Sequence, residues 1–122
     1  MPKKILIIDD EPHLVKIFES RLKANGYDVV YAFDGQEGLD KVKQEKPDLI
    51  ILDHRMPKLD GYEVYNILRS DAAYPNIPIV MLTASGTADW IKTGMEKGMD
   101  AYITKPVKPD LLLGIIEGLL RE

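Results

Sequence analysis

Residues 47–53 read Pro47-Asp48-Leu49-Ile50-Ile51-Leu52-Asp53, a short apolar run that ends on a carboxylate. The next residues, His54-Arg55-Met56-Pro57-Lys58-Leu59-Asp60-Gly61, hold a proline and an Asp-Gly pair and read as a loop. An apolar run of this length, closed by turn residues, is a strand buried on both faces, the kind found in parallel sheets. Asp53 therefore stands where a buried strand leaves the sheet. Ligands of open α/β sheets bind at the carboxyl ends of their strands. An acid in that position is a reactive group or a metal ligand, and the remaining sequence helps to decide which.

Four more runs of the same kind surround this one. Ile5 to Ile8 is β-branched and stops at Asp9-Asp10-Glu11, with Pro12 suited to the first turn of a helix. Leu14, Val15, Phe18 and Leu22 recur at helical spacing, and Asn25-Gly26 supplies the stop. Val29 to Ala32 is a second strand, followed by the Asp34-Gly35 turn and a helix through Leu39 and Val42 to about Glu45. Beyond the central strand, Tyr62, Val64, Tyr65, Ile67 and Leu68 predict a helix starting near Asp60. Ile79 to Leu82 is the fourth strand, with Thr83-Ala84-Ser85-Gly86 as its loop. Trp90, Ile91 and Met95 suggest a fourth helix, weakened by Gly94 and ended by Gly98. Ala101 to Thr104 is the fifth strand, closed by Lys105-Pro106, and Leu111 to Leu120 carry a last helix. Strand and helix alternate five times, which predicts an α/β fold: one doubly wound (βα)5 domain with a five-stranded parallel sheet and right-handed crossovers.

Bulk properties agree with one such domain. The chain has 122 residues, 45% hydrophobic and 30% charged, enough for a single core. A net charge of -4 gives no electrostatic footprint for nucleic acid or an anionic membrane. There are 0 cysteines, which excludes disulfides and thiolate metal sites and fits a reducing compartment. No segment approaches membrane-spanning length, and the first apolar run is too short for a secretory signal. The expectation is a cytoplasmic single domain over residues 1–122, with no linker, repeat or second domain within it.

The carboxyl ends of parallel strands share one rim. Here they bring Asp9 and Asp10 from the first strand, Asp53 from the third, Thr83 from the fourth and Lys105 from the fifth. Crowded carboxylates repel, and one of them takes up a proton unless a cation intervenes. Hard oxygen donors without Cys or His suit Mg2+, or Mn2+ in its place. Mg2+ keeps several waters and commonly works with phosphate. A carboxylate is a competent nucleophile towards phosphorus, and phosphoryl transfer asks mainly for positioning and charge neutralisation. Lys105 and the metal would share the transferred oxygens, and Thr83 would donate a hydrogen bond to one of them.

The set of Ile7-Ile8-Asp9-Asp10-Glu11, Leu52-Asp53 with Met56-Pro57 and Asp60-Gly61, Thr83-Ala84 and Lys105-Pro106 resembles the receiver domain of bacterial and archaeal two-component response regulators. The resemblance covers essentially the whole chain. It implies strand order 2-1-3-4-5, the flavodoxin-like arrangement. It implies that Asp53 accepts a phosphoryl group from a phosphohistidine on a sensor histidine kinase or histidine phosphotransfer protein. Asp10 and Asp53 would ligate Mg2+ directly, Asp9 directly or through water, and the backbone carbonyl of Arg55 would add a ligand. Thr83 and Lys105 would contact the phosphoryl oxygens. Tyr102 matches the aromatic switch position, which turns inward when Thr83 moves. The Lys105-Pro106 bond would be cis. The fourth helix, fifth strand and fifth helix would form the output face for a downstream protein or domain, or for a phosphorylation-dependent homodimer. The product is a signalling switch rather than an enzyme.

Plainer readings stand beside these. Asp9-Asp10-Glu11 alone is an acidic helix start, Thr83 a loop hydroxyl, Lys105 a solvated charge and Tyr102 ordinary packing. His13, in the first helical turn, and His54, which alternation points away from Asp53, are expected at the surface or rim. Trp90 and Met95 are packing residues. Arg55 stands two positions after Asp53, where the resemblance implies a variable residue that often tunes dephosphorylation; with Ser85 at the rim it is expected to set the lifetime of the phosphorylated state, the plainer reading being that it points into solvent. A phosphorylation-independent interaction module of the same fold is the chief alternative, and the complete acidic and lysine set argues against it. A flavin protein would need a Gly/Ser/Thr-rich phosphate loop where Asp9-Asp10-Glu11 stands. A phosphatase with an aspartate nucleophile would carry that nucleophile after the first strand, with a second Asp two residues on.

Overall fold

The computed structural model describes residues 2–74, 76–83 and 100–121. Within them the chain runs β1 (Lys4–Ile8), α1 (Pro12–Ala24), β2 (Asp28–Ala32), α2 (Gly35–Glu45), β3 (Leu49–Asp53), α3 (Gly61–Ser70), β4 (Ile79–Thr83), β5 (Ala101–Thr104) and a C-terminal helix, Pro109–Leu120. The five strands form one sheet in the order β2-β1-β3-β4-β5, every pair parallel. This is the doubly wound, flavodoxin-like arrangement that the alternation and the resemblance led us to expect. The segment assigned to a fourth helix, with Trp90 and Met95, lies outside the described residues, as does Ser85.

The three central strands are apolar because both of their faces are covered. Ile5 to Ile8, Leu49 to Leu52 and Ile79 to Leu82 all have 0% exposure. Alternation sorts them into two cores. Leu6, Ile8, Ile50, Leu52, Ile79 and Met81 meet Val42 of α2 and Tyr62, Val64, Tyr65 and Leu68 of α3. Ile5, Ile7, Leu49, Ile51, Val80 and Leu82 meet Val15, Phe18 and Leu22 of α1 and Leu112 and Ile116 of the C-terminal helix. Full burial of one such aliphatic side chain stabilises by about 1.5–3 kcal/mol, so the sheet interior dominates stability. An ion pair from Arg21 on α1 to Asp110 ties the two helices of the second face together at the surface.

Local sequence sets the helix ends that matter for the rim. Pro12 occupies the first turn of α1, directly after the acidic loop. Asp34 caps α2 by accepting from the Glu37 amide at 2.7 Å. Asp60 and Glu63 form a reciprocal capping box at the start of α3. Gly61, the first residue of α3, lies directly against the end of β3. A Cβ there would stand 2.5 Å from the Asp53 carbonyl oxygen and 2.9 Å from His54 Cα. The Gly61 amide also donates to the His54 carbonyl at 2.8 Å.

Gly61→Ala should therefore destabilise the fold by about 1–3 kcal/mol, because backbone rather than a flexible side-chain tip blocks the methyl group. Gly114→Ala, on the C-terminal helix with open space around it, should stabilise by up to about 1 kcal/mol through helix propensity. Urea denaturation of both variants tests the contrast, and equal effects would contradict the packing described.

Candidate functional site

β1 and β3 pair so that Ile8 lies beside Leu52, which leaves Asp9 and Asp53 as neighbours at the rim. The Asp9 amide continues the strand by donating to the Ala32 carbonyl at 3.1 Å. Asp9 and Asp53 are buried, with 0% and 3% exposure, whereas Asp10 is exposed. Carboxylate oxygens of Asp9, Asp10 and Asp53 lie within 4.8 Å of one another. Three oxygen donors at that separation, with one of them open to solvent, fit a hard divalent cation.

Lys105 supplies positive charge from the end of β5. β5 ends at Thr104, and the Lys105 amide donates to the Thr83 carbonyl at 2.6 Å, which fixes the root of the side chain at the rim. The Lys105–Pro106 peptide is cis, as the resemblance implied. The ammonium stands 3.1 Å from Asp53 Oδ1, 3.5 Å from Asp9 Oδ2 and 3.4 Å from Glu11 Oε1. The Glu11 amide donates to Asp9 Oδ1 at 2.9 Å, so the turn into α1 also steadies Asp9.

The electrostatic outcome is lopsided. Burial pushes the Asp53 carboxyl up to about 7, the Asp9 charge pushes the same way, and Lys105 pulls back. Burial also raises Asp9, against the Glu11 amide and Lys105. Burial alone would lower Lys105, but Asp9, Asp53 and Glu11 outweigh it and hold the ammonium charged. One lysine thus leaves two buried acids short of positive charge. A divalent cation held by Asp9, Asp10 and Asp53 would relieve that deficit.

Thr83 reaches the rim from the opposite side of the sheet. It continues the alternation of Ile79 and Met81, so its side chain belongs to the face covered by α2 and α3. It has 0% exposure, and its Oγ1 is 3.3 Å from His54 Nδ1. His54 is the residue that sequence reasoning misplaced. It is buried at 4% exposure, not at the surface or rim. Alternation does turn it away from Asp53, but the other face of this sheet is covered too. Its ring meets Tyr62 edge-on at 4.8 Å and 81°. The Tyr62 hydroxyl in turn donates to the Tyr102 hydroxyl at 3.3 Å. The signal that would have found His54 was in the sequence: a strand apolar at every position has two buried sides, and its next residue faces one of them. His13 is exposed, as expected. Arg55 is exposed and lines a shallow open depression with His54, Met56, Pro57 and Asp60.

Acids and a lysine on one side of the rim, with a threonine and a half-buried tyrosine on the other, stand at the carboxyl edge of a doubly wound domain, an arrangement that could hold a cation beside an anion. The response regulator receiver domain family matches residues 5–117, and the chain belongs to that family of two-component signalling domains. It is 50% identical over 120 residues to the transcriptional regulator ycf27 of Guillardia theta, covering 98% of this chain and 46% of the relative. It is 45% identical over 121 residues to the alkaline phosphatase synthesis transcriptional regulatory protein PhoP of Bacillus subtilis, covering 99% and 50% respectively. The chain thus spans about half the length of these curated relatives. Among solved structures, chemotaxis protein CheY4 of Vibrio cholerae superposes with a TM-score of 0.91 at 31% identity, covering 98% of this chain and 100% of that one. Among the described residues, no helix is long and apolar enough to cross a membrane.

The raised Asp53 pKa fixes the sign of a stability test. Between pH about 4 and 7 the metal-free folded protein retains a proton that the unfolded chain, with an ordinary Asp value of 3.8, releases. The penalty grows through that window and is complete above it. In chelator at pH 8, Asp53→Asn should therefore be more stable than the native chain by about 1–3 kcal/mol, a gain that shrinks towards pH 4. Thermal melts across this range test it. A less stable Asn variant at pH 8 would mean that Lys105 already overcompensates the buried charge.

Proposed function

We propose that this chain is a phosphorylation-activated receiver in a two-component phosphorelay and that Asp53 is its phosphoacceptor. The supporting observation is the contact of a buried Asp53 with Lys105 inside a cluster of carboxylates suited to a divalent cation. The Asp53 carboxylate attacks phosphorus of a phosphohistidine on a sensor histidine kinase or histidine phosphotransfer protein. An O–P bond forms, the N–P bond breaks, and the leaving imidazole takes a proton. Lys105 stays paired with the oxygens as charge moves from the donor to the acyl phosphate. Water attack on the phosphorus later releases inorganic phosphate and restores Asp53.

Asp9, Asp10, Asp53 and the Arg55 backbone carbonyl would hold Mg2+ or Mn2+. The ion supplies neutralisation of the acids and of the transferred oxygens. Thr83 then turns to donate to a phosphoryl oxygen, and Tyr102 follows inward, a shift between two populations of one fold. The change is read on the face that includes β5 and the C-terminal helix, by a downstream protein, an attached domain or a second copy of the chain. Relatives named as transcriptional regulators favour an output in gene regulation. Arg55, exposed beside the site, sets the lifetime of the acyl phosphate together with Ser85. The domain occupies residues 1–122.

Acetyl phosphate with Mg2+ should load one phosphoryl group per chain, read by intact mass, and the label should vanish in Asp53→Asn and in chelator. Lys105→Met should label poorly while still folding. Labelling that survives in Asp53→Asn would refute the assignment, and no labelling of the native chain would favour a phosphorylation-independent interaction module. Arg55→Asn should shorten the half-life of the labelled form; an unchanged half-life removes Arg55 from the tuning set.

A further inference from the structure

The register of β3 on β4 sets Asp53 beside Leu82. The next residues on the two strands, His54 and Thr83, are therefore neighbours on one face of the sheet. His54 is held from both sides through its backbone, its amide donating to the Leu82 carbonyl at 2.8 Å and its carbonyl accepting from Gly61 at 2.8 Å. Tyr62 fixes the plane of the ring by its edge-on contact. What this clamp presents is Nδ1, 3.3 Å from the Thr83 hydroxyl. Both side chains are almost wholly removed from solvent, so this bond does not trade freely with water.

We propose that His54 is a positioning residue that holds the Thr83 hydroxyl on the α2/α3 side of the sheet in the resting protein, so that switching starts by breaking this bond. The inference rests on Asp53 being the phosphoacceptor. Either ring tautomer serves, because a hydroxyl both donates and accepts. Where Nδ1 accepts, His54 engages the same proton that Thr83 must offer to a phosphoryl oxygen. The ring also touches Tyr62, whose hydroxyl bonds to Tyr102. The resting positions of Thr83 and Tyr102 are thus joined by a continuous path, His54 to Tyr62, along the buried side of β3. Displacing Thr83 frees one side of the imidazole and loosens the packing that places the Tyr62 hydroxyl.

A net buried hydrogen bond corresponds to roughly a 2–10-fold bias in a two-state equilibrium. Beryllium fluoride with Mg2+, a stable mimic of the acyl phosphate, measures that bias as an affinity. His54→Leu keeps bulk at this buried position without holding Thr83, and it should bind beryllium fluoride about 2–10-fold more tightly than the native chain. His54→Asn, which returns a hydrogen-bonding group near the place of Nδ1, should restore native affinity. In a Thr83→Ala background, His54→Leu should add nothing, as a double-mutant cycle requires for an effect that passes through Thr83. A merely structural role predicts the opposite sign, since loosening the end of β3 weakens the site. Weaker or unchanged binding in a folded His54→Leu chain, or an effect that persists without Thr83, overturns the proposal and leaves the phosphoacceptor reading intact. If the native chain fails to bind the mimic at all, the phosphoacceptor reading fails and this inference falls with it.

Discussion

Asp9 and Asp53 lie buried side by side, and the Lys105 ammonium reaches both, at 3.5 and 3.1 Å. Burying one carboxylate is costly, and burying two together adds their repulsion. Burial first, and then the Asp9 charge, push the Asp53 carboxyl up to about 7, and Lys105 offsets only part of that rise. The rest of the structure carries this strain. The apolar runs of the three central strands, at 0% exposure, and the helices on each side contribute the stability that the rim gives up. Added positive charge would relieve the rim, which suits it to a divalent cation.

The sheet also divides the labour. Parity along the strands sends Asp9, Asp53 and Lys105 towards the face of α1 and the C-terminal helix. It sends His54, Thr83 and Tyr102 towards the face of α2 and α3. The side that handles charge is thus separated by one sheet thickness from the side that carries hydroxyls and aromatic rings. The two meet at the carboxyl edge, where Thr83 ends β4 and its carbonyl accepts from the Lys105 amide at 2.6 Å. Among the described residues, a covalent event at Asp53, as proposed, would meet the other face across that edge, at Thr83 and at the backbone of residues 53 and 54.

Much of this was legible in the sequence because the runs at Ile5, Leu49 and Ile79 are apolar at every position, which leaves little choice but central parallel strands. Once the strands were placed, topology alone gathered Asp9, Asp10, Asp53, Thr83 and Lys105, and strand ends are insensitive to errors of a residue or two in helix boundaries. His54 was read correctly for direction and wrongly for burial. Alternation gives the face, and the all-apolar run implies that this face is covered; how far the cover extends past the strand end depends on how closely α3 approaches. That approach is set by Gly61, whose missing side chain lets the helix start against the Asp53 carbonyl. The role of Glu11 was hidden for a similar reason. Its ion pair with Lys105 spans 94 positions of sequence and exists only once β1 and β5 end on a common rim.

The close approach of α3 bears on how the rim signals. Gly61 binds the His54 carbonyl and crowds Met81 Sδ, where an added Cβ would come within 2.9 Å. Met81 is paired in register with Tyr102 on β5. The start of α3, the end of β3 and the middle of β4 are therefore packed with no slack between backbone and side chain, and close-packed interiors shift between discrete arrangements rather than deforming smoothly. Among the described residues, a movement of Thr83 at the edge meets the imidazole and Tyr62 on the α3 side, and β5 itself. The capping box and Gly61 hold the start of α3, whereas Ala101 and Tyr102 of β5 are only partly buried, so on the proposed reading the path through the imidazole and Tyr62 ends at the less covered strand.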